Sequence, residues 1–297
     1  MEETKIGPIQ MLRGPNKGKY PHCHSLYIEG AGVLIDPASD RERLVRLREE
    51  EGVRMIWLTH WHEDHLMHWD LFSDVPLWIG RLDAPPLLDM ETFLDWYNMD
   101  RPTNLHLRDM WRSILKEQFH YMPRTPDRLL DDGEMIDLNG IRVKVIHSPG
   151  HTPGHLAFWF PDHEIVFLGD YDLTPFGPWY GDRHSSINQT LASAEILRNL
   201  PASTWFTCHE TGIFYGDTQA LWDRYLAVID RREERLLEYL GSPRTMEDII
   251  GQWIVYGKPR EPKDYFIFGE RSIMDKHLER LKGHRKIYQD GAYYCIR

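Results

Sequence analysis

Five side chains that could bind a metal ion fall within the seven residues 59–65. This segment reads Thr-His-Trp-His-Glu-Asp-His and follows directly on an apolar run, residues 53–58, that predicts a buried strand. Imidazole and carboxylate groups are the ligands that suit zinc, iron and manganese. A histidine-rich surface turn is the alternative, but the cluster stands where a strand ends, which is the edge at which α/β proteins bind ligands. The segment therefore predicts a metal site.

Further histidines and carboxylates follow at three points downstream. Residues 148–155 read Ser-Pro-Gly-His-Thr-Pro-Gly-His, residues 167–170 read Phe-Leu-Gly-Asp, and residues 207–209 read Thr-Cys-His. The spacing His60-x-His62-x-Asp64-His65, followed by these segments in this order, resembles the metallo-β-lactamase superfamily. The resemblance covers about residues 20–215, and no position of its ligand pattern is missing.

The resemblance implies a site for two divalent metal ions bridged by Asp170. The implied ligands are His60, His62 and His151 for one ion, and Asp64, His65 and His209 for the other. Zinc is the default, although the same donors accept iron and manganese. The histidine at position 62 favours hydrolysis, because the redox-active flavodiiron relatives usually carry a carboxylate there. Cys208 does not correspond to the cysteine ligand of true β-lactamases, which argues against β-lactam antibiotics as the main substrate.

Two adjacent cations imply hydrolytic chemistry. They lower the pKa of a bound water from about 15.7 toward about 7, so that hydroxide forms near neutral pH and attacks a carbonyl carbon or a phosphorus. Asp64 and Asp170 are the predicted catalytic residues, which ligate the metals and also transfer the proton. Thr59 and Glu63 are predicted to orient the ligands. We expect cleavage of a thioester, lactone or ester bond in a small, partly apolar substrate.

Two other reactions fit the same ligand pattern, and a regulatory protein with a relic metal site is a third alternative. A phosphodiesterase or nuclease would attack phosphorus, but residues 1–217 carry a net charge of about −13 and residues 218–297 about +2. An acidic catalytic region argues against nucleic acid as a partner, since phosphate binding needs basic side chains. A redox enzyme of the persulfide dioxygenase type would hold a single iron ion.

The fold class expected from the resemblance is α/β, a four-layer αββα sandwich, with a catalytic domain at residues 1–216. Residues 83–130 are rich in methionine and aromatic residues and predict a helical insertion outside the sheet that could act as a lid. Residues 217–297 predict helices at 217–240 and 271–281, a capping box at 245–248 and a hairpin at 285–296. This order resembles a winged helix, which we expect to form a wall of the active site or a dimer contact.

The loop 171–185 follows the bridging carboxylate and must pass near the metals. Its candidate substrate contacts are Tyr171, Trp179, Tyr180, Arg183 and His184. Several histidines outside the ligand pattern are expected to serve structure instead. These are His22, His24, His68 and His155.

The remaining composition suggests a cytoplasmic protein with a small-molecule substrate. The three cysteines, Cys23, Cys208 and Cys295, are far apart and odd in number, so no disulfide framework is implied. No apolar run approaches the roughly 20 residues of a membrane span, and the polar N-terminus lacks the core of a signal peptide. A homodimer is left open.

Overall fold

Two β-sheets lie face to face in the computed structural model, which describes residues 3–297. The first sheet has seven strands that are neighbours in chain order: β1 (Thr4–Ile6), β2 (Ile9–Leu12), β3 (Ser25–Ile28), β4 (Val33–Ile35), β5 (Met55–Trp57), β6 (Leu77–Gly80) and β7 (Arg128–Leu130). The second has six: β8 (Met135–Asp137), β9 (Arg142–His147), β10 (Leu156–Phe160), β11 (Ile165–Phe167), β12 (Thr204–Phe206) and β13 (Ile213–Tyr215). Their spatial order is β13, β12, β11, β10, β9, β8.

Helices connect the strands that pair in parallel. The helices are α1 (Arg41–Arg46), α2 (Glu63–Leu66), α3 (Pro85–Leu88), α4 (Met90–Trp96), α5 (Leu105–Glu117), α6 (Ile187–Arg198), α7 (Gln219–Tyr239), α8 (Met246–Ile250) and α9 (Lys263–Gly283). Strands β4 to β7 are parallel, and a parallel pair needs a crossover rather than a tight turn. Helices α1 to α5 supply these crossovers, and α6 supplies the one between β11 and β12.

The second sheet shows how alternating residues create the layers. Val145 and Phe158 face the apolar core that the two sheets share, whereas Ile146 and Ala157 face the helices α6 and α7. Both faces are apolar because both are covered. The layering of helix, sheet, sheet and helix confirms the α/β fold class.

Three local sequence signals have the structure that is typical of them. The hairpin between β8 and β9 turns at Asn139 and Gly140, whose φ angles of 57° and 94° are those a type I′ turn requires. The side chain of Ser186 accepts a hydrogen bond at the start of α6. Thr245 and Asp248 form the capping box that opens α8.

Other boundaries differ from the sequence prediction. The expectation that residues 83–130 stay outside the sheet is wrong at their end, because β7 pairs in parallel with β6. Helix α2 begins within the predicted ligand segment, at Glu63, and a 3-10 turn follows at Trp69–Phe72. Helix α9 begins eight residues before the predicted position 271, directly after Pro262.

Residues after 217 pack against the preceding chain. The strands β14 (Arg244–Thr245), β15 (Ile287–Asp290) and β16 (Tyr293–Ile296) form a small sheet in the order β14, β16, β15. Tyr180 and Ile187 belong to the same buried cluster as Ile229 of α7 and Leu278 of α9. The winged-helix character and the boundary at residue 216 stay predictions. Within residues 3–297, no helix combines the length and apolar character needed to cross a bilayer.

Candidate metal centre and active site

Four loops carry the predicted ligands to one edge of the sandwich. The segment 59–65 follows β5, His151 lies between β9 and β10, Asp170 follows β11, and His209 follows β12. The strands before them are buried and apolar, so their positions are fixed by the core. The loops therefore start from rigid supports, which suits a site that must hold several ligands in register.

Three imidazole nitrogens form an almost equilateral triangle. His60 Nε2 lies 3.0 Å from His62 Nδ1, His151 Nε2 lies 3.1 Å from His60 Nε2, and His151 Nε2 lies 3.0 Å from His62 Nδ1. Asp170 Oδ2 lies 3.3 Å from His151 Nε2. Ligand atoms around a tetrahedral zinc ion would be about 3.3 Å apart, given metal–nitrogen bonds of about 2.0 Å. The four side chains are thus spaced as ligands of one cation.

The outward nitrogens of His62 and His151 are occupied by hydrogen bonds. His62 Nε2–H donates to Asp182 Oδ2 at 2.6 Å, and His151 Nδ1–H donates to the carbonyl oxygen of Trp179 at 3.1 Å. A neutral imidazole carries one proton, so the nitrogens that face the triangle present lone pairs.

The same reasoning applies to His60. The hydroxyl group of Thr59 donates to Asp36 Oδ2 at 2.8 Å, and its oxygen accepts the Nδ1–H of His60 at 2.9 Å. His60 Nε2 is therefore also a lone pair. Burial opposes protonation of His62, but Asp182 outweighs it and raises the pKa of His62 to about 9, so without a metal ion a second proton on this ring lies among the three nitrogens. A divalent cation that displaced this proton would be held by all three, so these residues fit a metal ion.

A second group of ligand atoms surrounds the other oxygen of Asp170. His65 Nε2 lies 3.0 Å from Asp170 Oδ1, and His209 Nε2 lies 3.4 Å from the same oxygen. Asp64 Oδ2 lies 3.4 Å from His209 Nε2. Asp170 thus stands between the two groups, where one carboxylate could bridge two cations.

The second group also directs its Nε2 atoms inward. His65 Nδ1–H donates to Asp36 Oδ2 at 2.9 Å, and His209 Nδ1–H donates to the carbonyl oxygen of Gly18 at 2.8 Å. His65 Nε2 and Asp170 Oδ1 are buried and have no hydrogen-bond partner among residues 3–297. Buried polar atoms are rarely left without a partner, and a metal ion would satisfy both.

Burial and charge set the ionisation of the site. Burial lowers the pKa of His151 to about 4 and that of His60 well below its usual value, so both are neutral near pH 7. Burial opposes ionisation of Asp170, but His65 and His209 outweigh it and hold the pKa of this carboxyl well below its ordinary range. Burial opposes protonation of His65 and His209, but the neighbouring acidic groups outweigh it and raise the pKa of both well above 6.5. Because neutral imidazole and ionised carboxylate are the forms that ligate metals, a metal ion would displace a proton from each of these two rings.

A cavity of about 360 Å³ opens onto these ligands. His62, Asp64, His151, Asp170 and His209 contribute to its floor. Most of the remaining wall is aromatic, from the side chains of Tyr20, Tyr97, Trp111, Phe176, Trp179, Tyr256, Tyr265, Phe266 and Phe268. The insertion supplies Tyr97 and Trp111, and the segment after residue 217 supplies four more. That segment therefore forms a wall of the site.

Of the five predicted substrate contacts, only Trp179 lines this cavity. The other four are held elsewhere by their own partners. The hydroxyl group of Tyr171 donates to the carbonyl oxygen of Pro149, and that of Tyr180 is paired with His277 Nε2. Arg183 forms an ion pair with Asp100, and the ring of His184 packs on the edge of Trp96. The prediction that Tyr171, Tyr180, Arg183 and His184 contact the substrate is corrected accordingly, since these four side chains lie outside the cavity lining.

Glu63 is buried and contacts two tyrosines of the cavity. Its carboxylate accepts hydrogen bonds from Tyr20 at 2.7 Å and from Tyr97. The ring of Tyr97 is also stacked on that of His62, with 5.5 Å between their centroids. Glu63 thus connects the segment 59–65, which contains the candidate ligands, to the aromatic wall of the cavity by hydrogen bonds.

Three of the four histidines expected to serve structure have protein partners, whereas the buried Nδ1 of His22 has none among residues 3–297. His24 Nδ1 accepts from the backbone N–H of Gly14, and His155 Nε2 accepts from the backbone N–H of Asp170. His68 Nδ1 accepts from Arg41. His68 is 8% exposed, so it is packed inside the protein rather than on a helix surface.

Sequence reasoning missed two carboxylates that support the ligands. Asp36 had a usable signal, because it ends a buried strand beside the metal loop. Asp182 had none, because it lies 120 residues from His62 in a loop without a regular pattern.

Comparison with known proteins agrees with this geometry. Residues 21–209 match the family model described as the metallo-beta-lactamase superfamily. An atrochrysone carboxyl ACP thioesterase from Pseudocercospora fijiensis is 22% identical over 299 residues, which cover 94% of this chain and 76% of that protein. The hydroxyacylglutathione hydrolase GloC from Haemophilus influenzae is 27% identical over 148 residues, which cover 48% of this chain and 61% of that protein.

The fold is also similar to that of solved structures. A metallo-beta-lactamase family protein from Thermus thermophilus superposes with a TM-score of 0.68 and 22% sequence identity, covering 98% of this chain and 99% of that one. The likeness extends through the segment after residue 217. Because the family model matches well over half of the sequence, the chain belongs to the metallo-beta-lactamase superfamily.

Proposed function

We propose that this protein is a metal-dependent hydrolase that cleaves a thioester bond next to an apolar acyl group. The observation that carries the proposal is the juxtaposition of two metal-ligand groups with an aromatic cavity wall. The two relatives described above are named as a thioesterase and a hydroxyacylglutathione hydrolase, which agrees with hydrolysis of this bond type.

His60, His62 and His151 would hold one metal ion, and Asp64, His65 and His209 the other, with Asp170 between them. Bound metal ions would act as Lewis acids and supply hydroxide at neutral pH. Asp64 and Asp170 are the carboxylates at which the proton of the attacking water could be received. The rings of Tyr97 and Trp111 would exclude water from the acyl side of the cavity.

The charges that line the cavity favour recognition of the acyl group of the thioester substrate rather than recognition of a charged carrier. Lys19 is the only lysine or arginine among the described residues that line it. Apart from Asp64 and Asp170, whose charge the bound metal ions would offset, the acidic side chains that line the cavity are Glu63, Asp172 and Glu210. Glutathione carries two carboxylates and would find few cationic partners here. A neutral, aromatic or otherwise apolar acyl group matches the wall better.

A phosphodiester is disfavoured because, away from the metal ligands, Lys19 is the only lysine or arginine among the described lining residues that could pair with its anionic oxygens. Lactones and carboxylic esters remain substrates that the same attack could cleave, since they present a similar carbonyl. A redox reaction at one iron ion is the remaining alternative, and metal content separates it from hydrolysis.

The experiment is to purify the protein without added metal and to measure zinc, iron and manganese per chain. Turnover is then measured with thioesters of acetyl and aromatic acyl groups, a lactone, an ester and a phosphodiester. We expect about two metal ions per chain and preferred cleavage of the aromatic thioester. His60→Ala should lose one of the metal ions and the cleavage. His68→Gln serves as the matched control, because it removes a buried histidine outside the ligand groups. One iron ion without hydrolysis, or cleavage of the phosphodiester alone, would overturn the proposal.

A further inference from the structure

Residues 179–185, here named the brace segment, touch two of the histidines that surround the first metal position. Asp182 is 2% exposed, and its Oδ2 accepts the Nε2–H of His62 at 2.6 Å. Its Oδ1 accepts from the indole N–H of Trp179 at 3.3 Å. One buried carboxylate therefore contacts a metal-facing histidine and an aromatic residue of the cavity wall.

The brace segment also fixes His151 from two sides. The carbonyl oxygen of Trp179 accepts the Nδ1–H of His151, and the hydroxyl group of Ser185 donates to the His151 carbonyl oxygen at 2.6 Å. The Ser185 oxygen in turn accepts from the backbone N–H of Asp182 at 3.1 Å. His62 and His151 come from loops 89 residues apart, and this short segment binds both of them.

Other contacts anchor the segment to the outer parts of the molecule. The backbone N–H of Arg183 donates to the carbonyl oxygen of Trp96 in α4, and its carbonyl oxygen accepts from Lys276 Nζ in α9, both at 2.9 Å. The segment is thus held by the insertion and by the last long helix. These contacts add to those that the segment makes with His62 and His151.

We propose that Asp182 is a positioning residue that fixes the ring orientation and the tautomer of His62. By keeping the proton on Nε2, it leaves the Nδ1 lone pair facing the first metal position. Through Trp179, the same residue sets the distance between the cavity wall and the ligands. This inference rests on the proposed metal centre, but it does not require that the substrate be a thioester.

The test is metal affinity measured by competition with a chromophoric chelator, on the full chain, for wild type, Asp182→Asn and Asp182→Ala. Loss of a partner that orients a metal ligand typically weakens binding about 10- to 100-fold. We expect this loss at one of the two sites in Asp182→Ala, a smaller loss in Asp182→Asn, whose amide oxygen still accepts, and an unchanged second site. Nitrogen-15 NMR of the zinc-loaded protein should show the His62 Nε2–H in wild type and its weakened hydrogen bond in the variants.

Asp100→Asn is the matched control, because Asp100 pairs with Arg183 of the same segment and touches no ligand. It should bind both metals with wild-type affinity. Equal weakening of both sites in Asp182→Ala, or equal weakening by Asp100→Asn, would show a general structural effect and overturn the proposal. If Asp182→Ala loses metal affinity at one site but the wild type does not cleave thioesters, this inference holds and the proposed substrate is wrong.

Discussion

Gly269 lies directly against the hydroxyl group of Tyr256, and both residues line the aromatic cavity. A Cβ atom on residue 269 would lie well inside the contact distance of that oxygen. Gly269 belongs to α9, and Tyr256 belongs to the loop before this helix. The missing side chain at position 269 therefore allows Tyr256 to rest on the helix.

We expect Gly269→Ala to displace the ring of Tyr256 and change the shape of the acyl pocket. The specificity constant kcat/KM for an aromatic acyl thioester should fall about tenfold, since a change of one methyl group in such a pocket alters discrimination by about that much. Turnover of an acetyl thioester and the metal content should not change. Gly283→Ala is the control in the same helix, because a Cβ there would meet no atom within 4 Å. Equal loss for both thioesters would contradict a role in acyl selection.

The hydrogen bond from Tyr97 to Glu63 should contribute to stability. Tyr97 is 6% exposed, and burial together with Glu63 raises the pKa of its hydroxyl well above the usual value, so it remains a donor. Removing a hydrogen bond to a buried charged acceptor costs about 1.5–3 kcal/mol. Tyr97→Phe should lower the free energy of unfolding by this amount in urea denaturation.

Tyr20→Phe removes the other donor to the same carboxylate and provides the comparison. Tyr20 is 44% exposed, so water can replace its hydroxyl group more easily. Its effect should be smaller than that of Tyr97→Phe. The reverse order would mean that the loop around Tyr20, rather than the insertion, anchors Glu63.

The cluster of candidate metal ligands and most elements could be predicted because local signals specify them. His60, His62 and His65 lie in one short segment after a buried strand. Asn139 and Gly140 specify the hairpin turn between β8 and β9, because these two residue types adopt the positive φ angles that the turn requires. The starts of α6 and α8 were readable for the same reason, since a capping side chain and its partner are separated by three residues.

The features that were missed depend on contacts between distant segments. Tyr180 and Arg183 follow the bridging carboxylate in sequence, but the first packs on α9 and the second pairs with the insertion. Asp182 between them turns inward to His62. Proximity to Asp170 in the sequence does not indicate which of these side chains turns toward the candidate metal site. Packing against α9 and α4 determines their directions.

The buried His68 should make stability depend on pH. Burial, reinforced by the charges of Arg41 and His120, lowers its pKa from 6.5 to about 4, while Asp70 acts in the opposite direction. Between these values the unfolded chain binds a proton that the folded protein excludes. The contribution of His68 is therefore fully present above about pH 6.5 and is lost as the pH falls toward 4.

Urea unfolding of wild type and His68→Gln at pH 7.5 and pH 5 measures this contribution. The decrease in stability between the two pH values should be smaller in the variant, by an amount on the order of 1–2 kcal/mol. Both proteins contain the same metal ligands, so those histidines cancel in the comparison. Identical pH dependence would show that His68 is protonated in the folded protein.

Removal of residues 217–297 should prevent the remaining chain from folding normally. The deletion would expose Tyr180 and Ile187, which are now buried against α7 and α9. It would also remove Arg232, whose guanidinium donates to Tyr180 and to the carbonyl oxygen of Phe176. Since these contacts hold the loop that contains the brace segment, we expect the fragment 1–216 to aggregate or to lose cooperative thermal unfolding. A soluble fragment that unfolds cooperatively and binds two metal ions would instead establish residues 1–216 as an independent domain.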